Sequence, residues 1–420
     1  MPKTAIATPD PDDSGDDGAT NRKASPKLRD GVMKRGKTWS YVIRVSDPET
    51  GVSKPKWVGG FATEDEAKAA RDEARVKARR GEYIDRNRVT VGEYLAEWIE
   101  THSVEIKPKT LHMYRYLIEH YIVPRLGEMR LQAVRPATLT KFYRELSATG
   151  GRKGKGLSPR TVEYVHAVLR RAFRDAVEVE EILASNPVER AKRPRKNPTE
   201  PGAVWTPAQL RVFLTEVASR HRLHAFFHVA AYTGARRGEL LHLRWSDVDL
   251  DAAEVRIAGS ASFIEGERIE GTTKSGRSRV VSIDADTVAV LKAHRERQAE
   301  DRETLGDAWR GGGDHVFTTG WGEPVHPDTV SSLMSTMVNR YNNPPRGEAK
   351  PAEPLPRVRL HDLRHIHATT LLLSGVPVHV VAARLGHGDP AITLRVYAHV
   401  IDEQMASAAD TFAQALRDAL

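Results

Sequence analysis

Four short clusters in the second half of the chain hold the side chains best suited to chemistry. The first, Thr233-Gly234-Ala235-Arg236-Arg237-Gly238-Glu239-Leu240, sets guanidiniums and a carboxylate one helical turn apart. The second, Thr273-Lys274-Ser275-Gly276-Arg277-Ser278-Arg279, puts a lysine in a glycine-containing turn. The third, His361-Asp362-Leu363-Arg364, heads a helix ending near Gly375, and the fourth, Leu385-Gly386-His387-Gly388, stands shortly before Tyr397. The 420-residue chain contains no cysteine. Disulfides, thiolate zinc sites and cysteine nucleophiles are thereby excluded, and covalent chemistry falls to Ser, Thr, Tyr, Lys, His or a carboxylate.

Taken singly, each cluster has an ordinary reading. Arg236 suits a protein surface and Lys274 a solvated turn. Tyr397, one of 11 tyrosines, suits a core position with a wet hydroxyl. His361 and His365 share a helix face at metal-ligand spacing with His367 nearby, but no carboxylate-rich or cysteine partner accompanies them.

The surrounding pattern sets the elements that must position these groups. Residues 1–25 are acidic, have little to bury, and read as disordered. Trp39–Val45 reads as a strand, Asp47–Gly51 as a turn, and Lys56–Val58 as a second strand. Thr63 and Glu66 form a capping box for a helix to about Arg80. Residues 26–86 are thus expected to form a small three-stranded sheet with one helix.

A second capping box, Thr90 with Glu93, opens an all-α four-helix domain over 88–190. Tyr94, Leu95 and Trp98 mark one buried face; Leu111, Tyr114, Leu117, Ile118 and Tyr121 mark another. Pro124 and Gly127 are expected to break the second helix. The third covers about Pro136–Leu146, a glycine-rich basic loop follows over Ser147–Gly156, and the fourth runs from Ser158 to about Leu183. Residues 191–202 read as a basic, Pro-stiffened linker.

Residues 203–400 read as a mainly helical domain with a small antiparallel sheet. Val255–Ile257 and Ser278–Ile283 are its strands, with Lys274–Arg277 turning between strands. Leu240, Leu241, Leu243 and Trp245 follow a helical spacing, Asn342–Pro356 is a polar Pro-rich loop, and 401–420 forms a C-terminal helix with Met405, Ala408, Phe412, Ala415 and Leu416 at helical spacing. The fold class is α+β multidomain.

The net charge of +8 sits at the front. Residues 26–90 carry 16 Lys/Arg against 10 Asp/Glu and residues 91–202 carry 20 against 14, whereas 203–420 come to about −2. A basic front suits a polyanionic partner, and also suits ordinary solubilising charge. No apolar stretch approaches the roughly 18 residues of a membrane span, and the polar, acidic N-terminus does not resemble a secretory signal. The expected location is the cytosol.

In chain order, Arg236, Lys274, His361 with Arg364, His387 and Tyr397 resemble the active-site signature of the tyrosine recombinase (phage integrase) family. The segments that carry the resemblance are TGARRGEL, TKSGRSR, HDLRH, LGH and Tyr397. It extends to residues 90–190, similar to the family's helical core-binding domain, and to 28–85, similar to its arm-type DNA-binding domain. The stretch from Val255 to Lys274 is longer than the family's minimal hairpin, which leaves the strand pairing open.

The resemblance implies a site-specific recombinase that cuts and rejoins DNA through a 3′-phosphotyrosine on Tyr397. Arg236 and Arg364 would clamp the scissile phosphate, His387 would donate a hydrogen bond to it, and His361 would assist proton transfer or position the phosphate. Lys274 would protonate the departing 5′ oxygen. Glu239 is expected to support Arg236, and Arg237 to be an exposed neighbour. No metal, ATP or other cofactor is implied. The implied partners are double-stranded DNA at core and arm attachment sites, three further copies in a homotetramer, an excisionase and a host DNA-bending protein. The implied role is integration of a phage or mobile element, on the nucleoid of a bacterial cytoplasm. Residues 401–420 would then dock on a neighbouring subunit rather than pack on their own domain. The competing readings are a type IB-like topoisomerase, a catalytically silent DNA-binding regulator and a metal-dependent nuclease.

Overall fold

The computed structural model describes residues 30–46, 52–79, 83–84, 87–194, 204–274, 276–396, 412–414 and 416–418. The acidic tail and most of the basic linker and C-terminal segment therefore lie outside the described residues. The chain divides into two compact units, one of Met1–Thr101 with Tyr116–Pro194 and one of His102–Arg115 with Arg195–Leu420.

The first unit begins with an antiparallel sheet of β1 (Val32–Arg35), β2 (Thr38–Ser46) and β3 (Ser53–Phe61), in that order. Alternation sends Val32, Tyr41 and Ile43 inward, where they meet Ala67 and Ala74 of α1 (Glu64–Arg79). The Thr63–Glu66 capping box forms in both directions, at 3.2 and 3.4 Å. Strand β3 extends beyond Lys56–Val58 on both sides, because pairing with β2 carries it through Pro55 and Gly59.

The helical part of this unit consists of α2 (Val91–His102), α4 (Val123–Leu126), α5 (Pro136–Thr149) and α6 (Pro159–Glu178); α3 (Pro108–Leu117) belongs to the second unit up to Arg115. Thr90 and Glu93 cap α2 reciprocally. Within this unit Tyr94 Oη donates to Ala172 O at 2.8 Å and Trp98 Nε1 to Asp175 Oδ2 at 2.9 Å, which ties α2 to α6. Pro124 does not break the second helix. The chain widens into a π turn over Ile118–Ile122, which accommodates the missing N–H and the ring of the proline, and the helical course runs on to Leu126. Of the face marked Leu111 to Tyr121, only Leu117 and Ile118 are fully buried. Helix α6 stops at Glu178 rather than near Leu183. Val179 and Glu180 follow as a β-branched residue and an acid at the negative end of the dipole, and Glu181 takes φ +52°.

The second unit is mainly helical: α7 (Pro207–Val212), α8 (His224–Thr233), α9 (Arg237–His242), α10 (Ala285–Leu305), α11 (Pro327–Asn342), α12 (Asp362–Leu373), α13 (Val378–Leu385) and α14 (Pro390–Val396). Helix α8 is buried almost throughout and crosses the middle of the core. Strands β4 (Val248–Asp249), β5 (Glu254–Ile257) and β8 (Arg279–Ser282) form one sheet; β6 (Gly259–Ile264) and β7 (Glu267–Thr272) form a separate hairpin. The two strands read from the sequence pair directly, Val255 opposite Val281. The lysine turn does not join them, however. It joins β7 to β8, because a whole hairpin has been inserted between the partners. The helical spacing after Leu240 also ends early: α9 stops at His242, Leu243 is buried from its C-cap, and Trp245 from a separate 3-10 turn, Trp245–Asp247.

The polar loop after α11 is closed at its neck. Asn342 Nδ2 donates to Leu355 O and Asn342 Oδ1 accepts from Leu355 N, both at 2.8 Å. Trp205 Nε1 donates to Pro356 O at 2.8 Å. Among the described residues, no helix is long and apolar enough to cross a membrane.

Candidate active site

Arg236 follows a closely packed junction in the second unit. Helix α8 ends on Thr233, whose Oγ1 donates to Val229 O at 2.6 Å and accepts from Ala235 N at 3.2 Å. Gly234 turns the chain at φ +63°, where a Cβ would lie 2.7 Å from Leu385 Cδ2 and 2.8 Å from His367 Cδ2. Only glycine meets both demands. The next helix then starts with Arg236 at its N-cap. Glu239, one turn on, is 2% exposed and binds Arg236 twice, from Oε2 to the backbone N at 2.9 Å and from Oε1 to Nη1 at 2.8 Å. Its Oε2 also accepts from Arg279 Nη2 at 2.7 Å. Arg237, expected to be exposed, is half-buried and donates to Pro327 O at 3.1 Å and Ser331 Oγ at 2.8 Å.

Arg364, on the first turn of α12, is 4% exposed and donates from Nη1 to Gly234 O at 2.7 Å. The glycine turn thus fixes both arginines, one by chain connection and one by hydrogen bond. His361 stands at the N-cap of the same helix, its ring edge-on to His365 at 5.2 Å. His387 follows Gly386, which caps α13 at φ +68°, and its Nδ1 lies 2.7 Å from Thr393 Oγ1. Lys274 is exposed on its turn, and Arg236, Lys274 and His361 are among the residues lining one cleft, with Glu270 and His326. Tyr397 comes directly after Val396, the end of α14, and lies outside the described residues.

The electrostatics connect the rest. Burial first, then Arg364, Arg236 and Arg279, lower the pKa of His387 to about 4. His361 keeps an exposed edge at the helix start, and partial desolvation first, then the neighbouring His365 and Arg364, with Arg236 also contributing, lower its pKa to about 4. The two arginines and two histidines therefore share one neighbourhood, and both imidazoles are neutral near pH 7. His367, beside the His361–His365 pair in the sequence, is occupied otherwise: its Nε2 accepts from Arg384 Nε at 3.1 Å. No group of three or more His, Cys, Asp or Glu that could hold a metal ion occurs among the described residues.

Sequence reading passed over Arg279, Thr393 and the packing role of His367. Arg279 had a signal: it follows the lysine turn on a strand, and a buried Glu239 paired with one partly exposed arginine would be undercompensated.

Burial also lowers His166, His228, His294 and His367 to about 4. A histidine depressed on folding contributes stability that is complete above its unfolded pKa, near 6.5, and is lost as pH falls toward 4. The unfolding free energy from urea titration should therefore drop between pH 7 and pH 4.5, by a total on the order of several kcal/mol at about 1.4 kcal/mol per pKa unit. A flat or opposite trend would show that these rings are not held neutral.

Comparison with known proteins follows the same divisions. Residues 204–404 match the family model described as "Phage integrase family". Residues 90–147 match "Phage integrase, N-terminal SAM-like domain" and 32–78 match "Arm DNA-binding domain". A "Tyrosine recombinase XerC-like" protein of Caldanaerobacter subterraneus subsp. tengcongensis is 28% identical over 90% of this chain and 97% of its own length. The "ICEBs1 integrase" of Bacillus subtilis is 27% identical over 83% of this chain and 88% of its own. In fold, the chain is similar to the Tn1549 transposon integrase solved in complex with transposon right end DNA, with TM-score 0.62, 20% identity, and coverage of 76% of this chain and 100% of that one.

Proposed function

Since this chain belongs to the tyrosine recombinase (phage integrase) family, we propose that it cleaves and rejoins double-stranded DNA at specific sites through a 3′-phosphotyrosine on Tyr397. The observation that carries the reading is that Arg364 bonds the glycine turn leading into Arg236, with His361 and Lys274 at the same cleft as Arg236 and His387 within the field of both arginines.

Each group suits a charge or a proton in the reaction. Arg236 and Arg364 take the nonbridging oxygens of the scissile phosphate, whose negative charge builds as phosphorus is attacked. Fixing them in advance on Gly234 and Glu239 removes the cost of gathering two like charges during the reaction. His387 presents Nε2 to the phosphate, since Nδ1 is engaged by Thr393. Tyr397 Oη forms the bond to phosphorus while the bond to the 5′ oxygen breaks. The phenol proton passes to His361, neutral at pH 7 and so able to accept it. Lys274 gives its proton to the 5′ oxygen. Attack by a 5′ hydroxyl of another strand reverses the step, so neither ATP nor a metal is needed.

The rest of the chain serves placement. Residues 26–86 are the arm-type DNA-binding domain, 88–190 the helical core-binding domain, 191–202 their basic link to the catalytic domain of 203–400, and 401–420 a tail for a neighbouring subunit. Four copies on DNA exchange strands, in integration of a mobile element and, with an excisionase and a DNA-bending protein, in its excision. The basic front half supports this division of labour.

The reading is tested with a nicked duplex carrying the attachment site, incubated in EDTA and run on a denaturing gel. A chelator-resistant protein–DNA adduct, with the modified peptide containing Tyr397, is expected. Tight binding without an adduct would support a silent regulator, and cleavage lost in EDTA would support a metal-dependent nuclease.

A further inference from the structure

Glu270 lies on β7, four residues before Lys274 and opposite Ala261 of β6. Four nitrogen-bearing side chains converge on its carboxylate. Oε1 accepts from Arg268 Nε at 2.9 Å and lies 3.2 Å from His315 Nε2. Oε2 accepts from Arg244 Nη2 at 2.8 Å and lies 3.2 Å from His242 Nδ1. Burial works to raise its pKa, but hydrogen bonds from His315 and Arg268 outweigh it and hold the group at about 2.

Only Arg268 shares the strand. His242 closes α9, Arg244 follows it, and His315 comes from the segment bridged to Arg244. Arg268 Nη2 reaches the same helix end, donating to Leu241 O at 2.6 Å. The hairpin and the helix also touch without room to spare: a Cβ on Gly259 would lie 2.2 Å from His242 Nε2, and one on Gly238 2.6 Å from Ala261 O. Helix α9 is the element whose N-cap is Arg236. Beyond β7, Thr273 Oγ1 donates to Arg277 O at 2.7 Å and Thr273 O accepts from Gly276 N at 3.0 Å, so the lysine turn is braced at its base.

We infer that Glu270 is a positioning residue for strand cleavage, clamping the hairpin that leads to Lys274 onto the helix that carries Arg236. The proton donor and the phosphate clamp then keep one geometry, although the donor sits on an exposed turn. This inference rests on the reading of Lys274 as the acid that protonates the 5′ oxygen.

The test replaces that oxygen with sulfur in a nicked duplex. A thiol leaves as thiolate near neutral pH, its pKa being near 8.5, and needs no proton. Full-length protein and the variants Lys274→Ala, Glu270→Gln and Glu270→Asp are compared in single-turnover cleavage of both substrates. Glu270→Gln should slow cleavage at oxygen by about tenfold to a hundredfold, a part of the roughly 10²–10⁴-fold that general-acid catalysis supplies, and cleavage at sulfur by less than about threefold. Glu270→Asp, which keeps the charge, should recover most of the oxygen rate. Equal losses on both substrates, or no loss at oxygen, would overturn the inference. If Lys274→Ala is rescued by sulfur and Glu270→Gln is not, the inference alone fails; if Lys274→Ala is not rescued, the reading of Lys274 fails and takes the inference with it. Should Glu270→Gln not fold, Arg244→Gln removes the clamp from the other side and must show the same split.

Discussion

Tyr397→Phe is expected to bind attachment-site DNA within about twofold of the parent and to form no adduct, a loss of at least about 10⁴-fold. The substitution removes one oxygen and keeps the ring, so packing gives it little reason to fail. Removing the nucleophile leaves the arginines able to hold the phosphate with nothing to attack it. Residual adduct formation would mean that another of the 11 tyrosines is the nucleophile. Binding and cleavage must be measured on the same preparation, because a loss of both would point to misfolding.

Glu239→Ala is expected to act on stability and rate together. The Glu239 side chain is 1% exposed and holds Arg279, itself 11% exposed, as well as Arg236. Breaking a buried pair strands the remaining charge, at a cost of about 3–5 kcal/mol, readable as a lower urea midpoint. Arg236 also loses both contacts that fix its position at the N-cap. Cleavage should fall by about a hundredfold, comparable to removing one preorganised donor from an anion site. A gentler Glu239→Gln keeps the shape and should retain more stability than rate. If neither variant moved the rate, Arg236 would be oriented by something other than Glu239.

These two residues show how unevenly the sequence disclosed the site. Arg236, Arg364, His361 and His387 stood out as candidates because their spacing forms an ordered signature, whereas the glycine turn at Gly234 that joins the two arginines was not read. The grip of Glu239 on Arg236 was legible from a spacing of three residues. Its second partner, Arg279, was not, since nothing in a linear pattern says which strand returns past a helix N-terminus. The hairpin β6–β7 was hidden for a similar reason. Ser260–Ile264 and Glu267–Gly271 mix polar and apolar residues without strict alternation, as expected of strands that are only partly buried. At Pro124 the usual rule for helix breaking lost to a change of helical pitch, a choice made by packing around Ile118 and Ile122.

The clasp between Asn342 and Leu355 gives the molecule a handle. One amide side chain satisfies both backbone groups of the residue across the neck, so the core is sealed before the loop begins. What lies between can grow at a cost that rises only with the logarithm of its length, about 0.6 kcal/mol for each doubling. Residues 344–353 are therefore a natural berth for a fluorescent protein or an affinity tag, carried without disturbing the helices on either side.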